Sequence, residues 1–247
     1  MRQITVIGAS SAIAEACMRR WCTEEPTHFV LVGRREDTLR AISEDLVTRG
    51  CDGTEASIHV GAFRDSEEVA ATVAGALEHG RPDIALVAFG SLPEQAVVSA
   101  TASALTEALE VNGVWPALCA QLLFNALREE GAGRIVLLGS VAGDRGRRSN
   151  YAYGAAKSLL ATFAAGLAHA AVGTGVSVSL VKPGPTDTPM TRGAGTRGRL
   201  AAPDDVARTI VAGVARKQPV IYAPPRWRVI MAIIRALPGP LFDRLDI

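Results

Sequence analysis

A tyrosine and a lysine stand four residues apart, at Tyr153 and Lys157, and Ser140 lies thirteen residues before the tyrosine. On a helix, positions i and i+4 share a face, so the Lys157 ammonium can stand beside the Tyr153 phenol. A positive charge in that position lowers the pKa of the phenol. A phenol tuned in this way gives or takes a proton at a carbonyl oxygen near neutral pH. Ser140 follows the apolar run Ile135 to Leu138 and can hydrogen-bond the same oxygen from the C-terminal end of a strand. Tyr151 is six residues from Lys157, which turns it off the shared face.

Two further stretches suit an anionic ligand. Gly8-Ala9-Ser10-Ser11 separates an apolar run from a helical pattern. The free amides and dipole of a helix start bind phosphate. Val32-Gly33-Arg34-Arg35 closes the second apolar run, about where a dinucleotide fold meets the adenosine ribose. A carboxylate there accepts from a free 2′-hydroxyl. Arg34 and Arg35 instead suit a 2′-phosphate, which favours NADP(H) over NAD(H).

These residues need a scaffold, and the chain has the pattern of one. Ile4 to Ile7, Phe29 to Val32, Ile84 to Val87, Ile135 to Leu138 and Val176 to Val181 read as buried strands. Amphipathic segments alternate with them, at Ala12 to Trp21, Glu36 to Thr48, Ser66 to Leu77, Ala102 to Leu127 and Ala152 to Ala171. Asp204 to Arg216 reads as another helix and Pro219 to Tyr222 as a last strand. The alternation predicts an α/β fold, a doubly wound parallel sheet of the Rossmann type covered on both faces. No repeat or linker divides residues 1–247, so one domain is expected, with 189–202 a substrate loop and 225–247 a helical tail.

Composition narrows the field. Of 247 residues 48% are hydrophobic, and Lys+Arg 26 nearly balances Asp+Glu 25. That excludes a disordered chain and a general nucleic-acid binder. Cys17, Cys22, Cys51 and Cys119 form no C-x-x-C pair, which points to a reducing, cytoplasmic setting, and no metal site is expected.

In combination, Gly8-Ala9-Ser10-Ser11, Asn112 in Val111-Asn112-Gly113, Ser140, Tyr153-x-x-x-Lys157 and Pro183-Gly184-x-x-x-Thr188 resemble the short-chain dehydrogenase/reductase family over nearly the whole chain. The resemblance implies that Tyr153 is the general acid/base and that Lys157 lowers its pKa and binds the nicotinamide ribose. It implies that Ser140 positions the substrate oxygen and that Asn112 holds a water in a proton relay. By the same likeness NADP(H) contacts Gly8, Ser10, Ser11, Ile13, Arg34, Arg35, Phe63, Gly90, Tyr153, Lys157, Pro183, Gly184, Thr186 and Thr188. The chain departs from the family at Ala12 and Ala14, where glycines are usual, at Ala62, where an Asp is usual, and at Val87-Ala88-Phe89-Gly90. The family also implies a homodimer or homotetramer.

Between Ser140 and Tyr153, Arg145, Arg147 and Arg148 oppose a single acid, Asp144. Such a field suits a phosphate or carboxylate on the substrate. A solvated loop or a subunit contact would explain the arginines equally. Arg192, Arg197 and Arg199 add to the field. In the tail, Arg226, Arg228 and Arg235 surround Val229 to Ile234, with Trp227 beside them. A helix of this kind lies in a bilayer interface, or packs over the substrate mouth or against a neighbouring subunit. The 87–90 segment, the arginine loop and the tail resemble the decaprenylphosphoryl-2-keto-ribose reductases. That resemblance implies a lipid-linked keto-sugar substrate, a partner oxidase and contact with the inner membrane surface. The alternatives are a soluble reductase of small or acyl-chain ketones and a non-catalytic dinucleotide-binding regulator.

Overall fold

The computed structural model describes residues 1–192 and 200–245. In chain order the elements are β1 (Arg2–Ile7), α1 (Ala12–Trp21), β2 (Thr27–Gly33), α2 (Glu36–Arg49), β3 (Glu55–Val60), α3 (Ser66–Glu78) and β4 (Ile84–Val87). Then come α4 (Gln95–Val98), α5 (Ala102–Leu109), a π-helical turn at Glu110–Val114, α6 (Trp115–Glu130) and β5 (Gly133–Leu138). A 3₁₀ turn at Val141–Asp144 leads to α7 (Tyr151–Ala170), β6 (Val176–Pro183), α8 (Pro203–Ala215) and β7 (Val220–Ala223). The tail holds α9 (Arg226–Ala236) and α10 (Gly239–Phe242).

The seven strands form one parallel sheet in the order β3-β2-β1-β4-β5-β6-β7. Strand order reverses between β1 and β4, and in such sheets ligands bind beyond the carboxyl ends of the strands at that point. Every residue of β4 is buried, as a strand covered on both faces requires. On one side Met18 and Trp21 of α1, Leu39 and Leu46 of α2, and Ile210 and Val214 of α8 fill the core. On the other, Val73 of α3, Leu123 and Phe124 of α6, and Leu160 and Leu167 of α7 do so.

The expected alternation is therefore present, with two corrections. β3 escapes the sequence reading because it is an edge strand of half-exposed residues with no apolar run. The single helix expected over Ala102 to Leu127 is two helices, joined by the π-helical turn that carries Asn112.

The segment after β6 folds back on itself through a bridge between Thr186 and Ala201. Arg192 pairs with Asp187 at 2.8 Å instead of adding to the charge of the arginine loop, and Arg197 and Arg199 lie outside the described residues. Among the described residues no helix is long and apolar enough to cross a membrane.

The tail packs onto the segment that follows the 3₁₀ turn. Met231 of α9 is fully buried. Arg145 Nη1 donates to the Ile234 carbonyl at 2.5 Å and the Leu237 carbonyl at 2.7 Å. Its guanidinium also stands 3.8 Å from the centre of the Phe242 ring. A cation at the last carbonyls of a helix complements the dipole, so Arg145, expected at the substrate, serves as the tail's cap. The outer face of α9 stays uncovered, with Val229 63% and Ile233 60% exposed. Arg145→Ala should therefore release the tail while the sheet holds. Trypsin cleavage between residues 226 and 245 should accelerate, and an unchanged cleavage rate would overturn this account of the clamp.

Candidate active site

Ser140 marks the point where the chain leaves the sheet after β5. The Gly139 amide donates to the Val181 carbonyl at 2.8 Å, holding the strand end against β6. Ser140 Oγ then accepts from the Ala142 amide at 3.1 Å and caps the 3₁₀ turn. Tyr153, in the first turn of α7, is brought to this serine. Burial pushes the Tyr153 phenol up to about 12, and hydrogen bonding to Ser140 pulls the other way.

Lys157 is 4% exposed. Its Nζ donates to the Leu138 carbonyl at 3.0 Å and stands 5.8 Å from the centre of the Tyr153 ring. Burial pulls its pKa down to about 8. At neutral pH the phenol thus keeps its proton beside a lysine that is still mostly ammonium, whereas the sequence suggested a phenol already lowered by the ammonium. Desolvation is the largest influence on both groups.

Asn112 is fully buried. Its Oδ1 accepts from the Ser91 amide at 2.9 Å, and its Nδ2 donates to the Ala108 carbonyl at 3.0 Å and Ser91 Oγ at 3.3 Å. Oδ1 keeps one lone pair for a water. Only a glycine leaves room beside it, because a Cβ at Gly90 would come within 2.8 Å of that oxygen. Ser91 is a site residue that no spacing rule marked.

The cofactor cradle is built from close backbone approach. Gly8 has φ +89°, and a Cβ there would fall 2.5 Å from the Phe89 amide nitrogen. Ser11 makes no side-chain cap on α1, so the first amides of the helix remain available to an anion. Ala14 is fully buried within the core, so its methyl group is accommodated where the family has glycine. Phe63 stacks on Phe89 with ring centres 4.4 Å apart. A cleft of about 410 Å³ is lined by Ser10, Gly33, Arg34, Arg35, Thr38 and Leu39, which gives it two guanidinium groups and no carboxylate. These features fit a dinucleotide.

The far side of the site is tied together by a buried carboxylate. Asp144 accepts from Lys182 Nζ and, at 2.8 Å, from Tyr222 Oη. Burial, and then this hydrogen bond, push Tyr222 up to about 12. The trio joins the turn after Ser140 to β6 and β7, directly before Pro183 and Gly184. The Gly184 amide donates to the Ala223 carbonyl at 3.0 Å, and buried Thr186 Oγ1 donates to the Gly184 carbonyl at 2.9 Å. Thr188 Oγ1 lies 3.2 Å from Thr191 Oγ1. The Trp227 indole covers Gly184, since a Cβ there would land 1.9 Å from Nε1. Arg147 is half buried and Arg148 is exposed.

Residues 2–197 match the family model described as short chain dehydrogenase. The chain belongs to the short-chain dehydrogenase family. An uncharacterized oxidoreductase of Streptomyces coelicolor is 31% identical over 244 residues, 99% of this chain and 96% of that one. Another from Mycobacterium tuberculosis is 31% identical over 246 residues, 98% of this chain and 96% of that one. Among solved structures, a short-chain dehydrogenase from Sphingobium yanoikuyae in complex with NADPH superposes with a TM-score of 0.83 at 22% identity, covering 100% of this chain and 97% of that one. The bulky-bulky ketone specific alcohol dehydrogenase from Comamonas testosteroni superposes with a TM-score of 0.80 at 20% identity, covering 100% and 95%. The fold is thus that of these enzymes, and the chain is an oxidoreductase of their family.

The Lys157 environment has a measurable signature. Its pKa falls from 10.5 to about 8 on folding, so between those values the unfolded chain holds a proton that the folded chain has released. Stability then rises with pH across that window, and the penalty is fully present below it. In urea unfolding between about pH 8 and pH 10, the wild type should gain stability relative to Lys157→Met. Parallel pH dependences would overturn this assignment.

Proposed function

We propose that the chain is an NADP(H)-dependent oxidoreductase that interconverts a ketone and a secondary alcohol. The observation that carries this reading is a half-buried phenol at Tyr153, held in its protonated form beside Ser140 and backed by the buried ammonium of Lys157, 5.8 Å from the centre of its ring. When bound, the nicotinamide supplies or accepts the hydride. The α1 amides and Ser10 would hold the pyrophosphate, Arg34 and Arg35 the 2′-phosphate, Lys157 the ribose, and Pro183, Gly184, Thr186 and Thr188 the nicotinamide.

The chain's own residues perform the proton transfer. Ser140 donates to the substrate oxygen and orients it toward Tyr153 Oη. As negative charge grows on that oxygen, Tyr153 releases its proton to it. The resulting phenolate gains from the Lys157 ammonium, an attraction that a dry site strengthens. Asn112, with its free lone pair, supports a water that returns the proton. The NADPH complex and the ketone-specific dehydrogenase among the structural neighbours support the cofactor and the substrate class.

A finer reading is favoured by the tail. Val229, Ala232, Ile233 and Ala236 make an exposed apolar stripe on α9, flanked by exposed Arg226, Arg228 and Arg235. Such a face suits an anionic membrane surface. On that reading the substrate is a polyprenyl-phosphate-linked 2-keto-pentose, delivered by a partner oxidase. NADPH oxidation with that ketone made in situ, run beside small ketones, separates the two readings.

Two variants test the chemistry. Tyr153→Phe should lower kcat for ketone reduction by about 10²–10⁴-fold, and a kcat within about threefold of wild type would overturn the assignment. Replacing Arg34 and Arg35 together by Glu should lower the ratio of kcat/KM for NADPH over NADH by about tenfold or more. A ratio that stays constant would remove these arginines from the 2′-phosphate.

A further inference from the structure

Three arginines follow the 3₁₀ turn, and the fold gives each a different fate. Arg145 is engaged by the carbonyls of α9 and the ring of Phe242. Arg148 is exposed to solvent. Arg147 is half buried, and among the described residues the one hydrogen-bond partner of its side chain is the Met231 thioether, 3.5 Å from Nη2. A thioether is a weak acceptor. The Nε–H group of Arg147 is out of contact with solvent and has no partner among the described residues.

No carboxylate among the described residues lies within ion-pair distance of Arg147. Asp144 is close enough to act through its charge, but Lys182 and Tyr222 already hold its oxygens. A buried donor without an acceptor costs stability, and arginine does not escape that cost by losing its proton. The arrangement is that of a cation awaiting an anion.

Its surroundings place that demand at the active site. Arg147 lies on the segment that joins Ser140 to Tyr153. Met231, which it touches, sits one helical turn after Trp227, so both share one face of α9. Trp227 covers Gly184, and its buried Nε1–H also has no partner among the described residues. Two unpaired donors, on Arg147 and Trp227, thus lie where α9 meets the segment from Ser140 to Tyr153 and Gly184.

We infer that Arg147 binds an acidic group on the substrate, a carboxylate or a phosphate, with the Trp227 Nε1–H as a second donor on the same wall. The inference rests on the ketone–alcohol reading and narrows it to ketones that carry a negative charge away from the reacting carbonyl.

The test compares keto acids with their primary amides, and keto-sugar phosphates with the free keto-sugars, by NADPH oxidation. Wild type should prefer the charged member of at least one pair by about tenfold or more in kcat/KM. Which pair shows the larger preference separates carboxylate from phosphate. Arg147→Met should bring that ratio close to one, and Arg147→Lys, which keeps the charge without the fork, should recover part of it. A wild-type ratio of one or below overturns the inference, as does a ratio that Arg147→Met leaves intact. If no ketone is reduced, the ketone–alcohol reading fails, and the anion site is then judged by thermal shift. Inorganic phosphate or a keto acid should raise the Tm of wild type and not that of Arg147→Met, and equal shifts overturn it.

Discussion

The ammonium of Lys157 is held with almost no access to water and donates to the carbonyl of Leu138. Much of the site's architecture follows from keeping α7 close enough to the end of β5 for that bond to form. Close approach needs small residues at the contacts. A Cβ at Gly113 would fall 2.8 Å from the Ala156 carbonyl oxygen, and one at Gly143 would fall 2.7 Å from the carbonyl carbon of Lys157. At Gly154 a Cβ would come within 3.0 Å of the Ala142 carbonyl oxygen. The π-helical turn, the 3₁₀ turn and the first turns of α7 therefore meet backbone to backbone. Ser140, Asn112, Tyr153 and Lys157 are carried by those three segments.

Two lysines, Lys157 buried and Lys182 partly so, show how environment assigns roles. Lys182 is paired with the carboxylate of Asp144, and its charge is balanced within the fold. Lys157 has a neutral carbonyl instead, and burial weakens its hold on the proton. A balanced charge stiffens the junction of β6, β7 and the turn after Ser140. An unbalanced one answers to charge that appears beside it, such as that on a phenol giving up its proton.

Much of this was legible in the sequence, where burial and spacing leave a pattern. Strands buried on both faces, such as Ile84 to Val87, announce themselves as apolar runs, and the edge strand Glu55–Val60 does not. The Tyr153 and Lys157 pair follows from helical spacing alone. The break in the helix at Glu110–Val114 depends on tertiary packing, and nothing in the periodicity of 102–127 marks it. Ser91 and Trp227 enter the site through contacts with residues far away in sequence, Asn112 and Gly184. The arginines were legible as a cluster but not as individuals. Their partners are set by the course of α9, which carries no spacing signal linking it to residues 145–148.

Arg145 fastens α9 through main-chain carbonyls, and the carbonyl oxygen at the end of a helix is the same whatever side chains the helix bears. The attachment of the tail is therefore largely blind to the sequence of its outer face. Mutation can drift across Val229, Ala232, Ile233 and Ala236 without loosening the wall beside Gly184, so long as the helix forms and Trp227 and Met231 remain. The chain thus carries a surface open to evolutionary change, fixed to a reaction centre that is not.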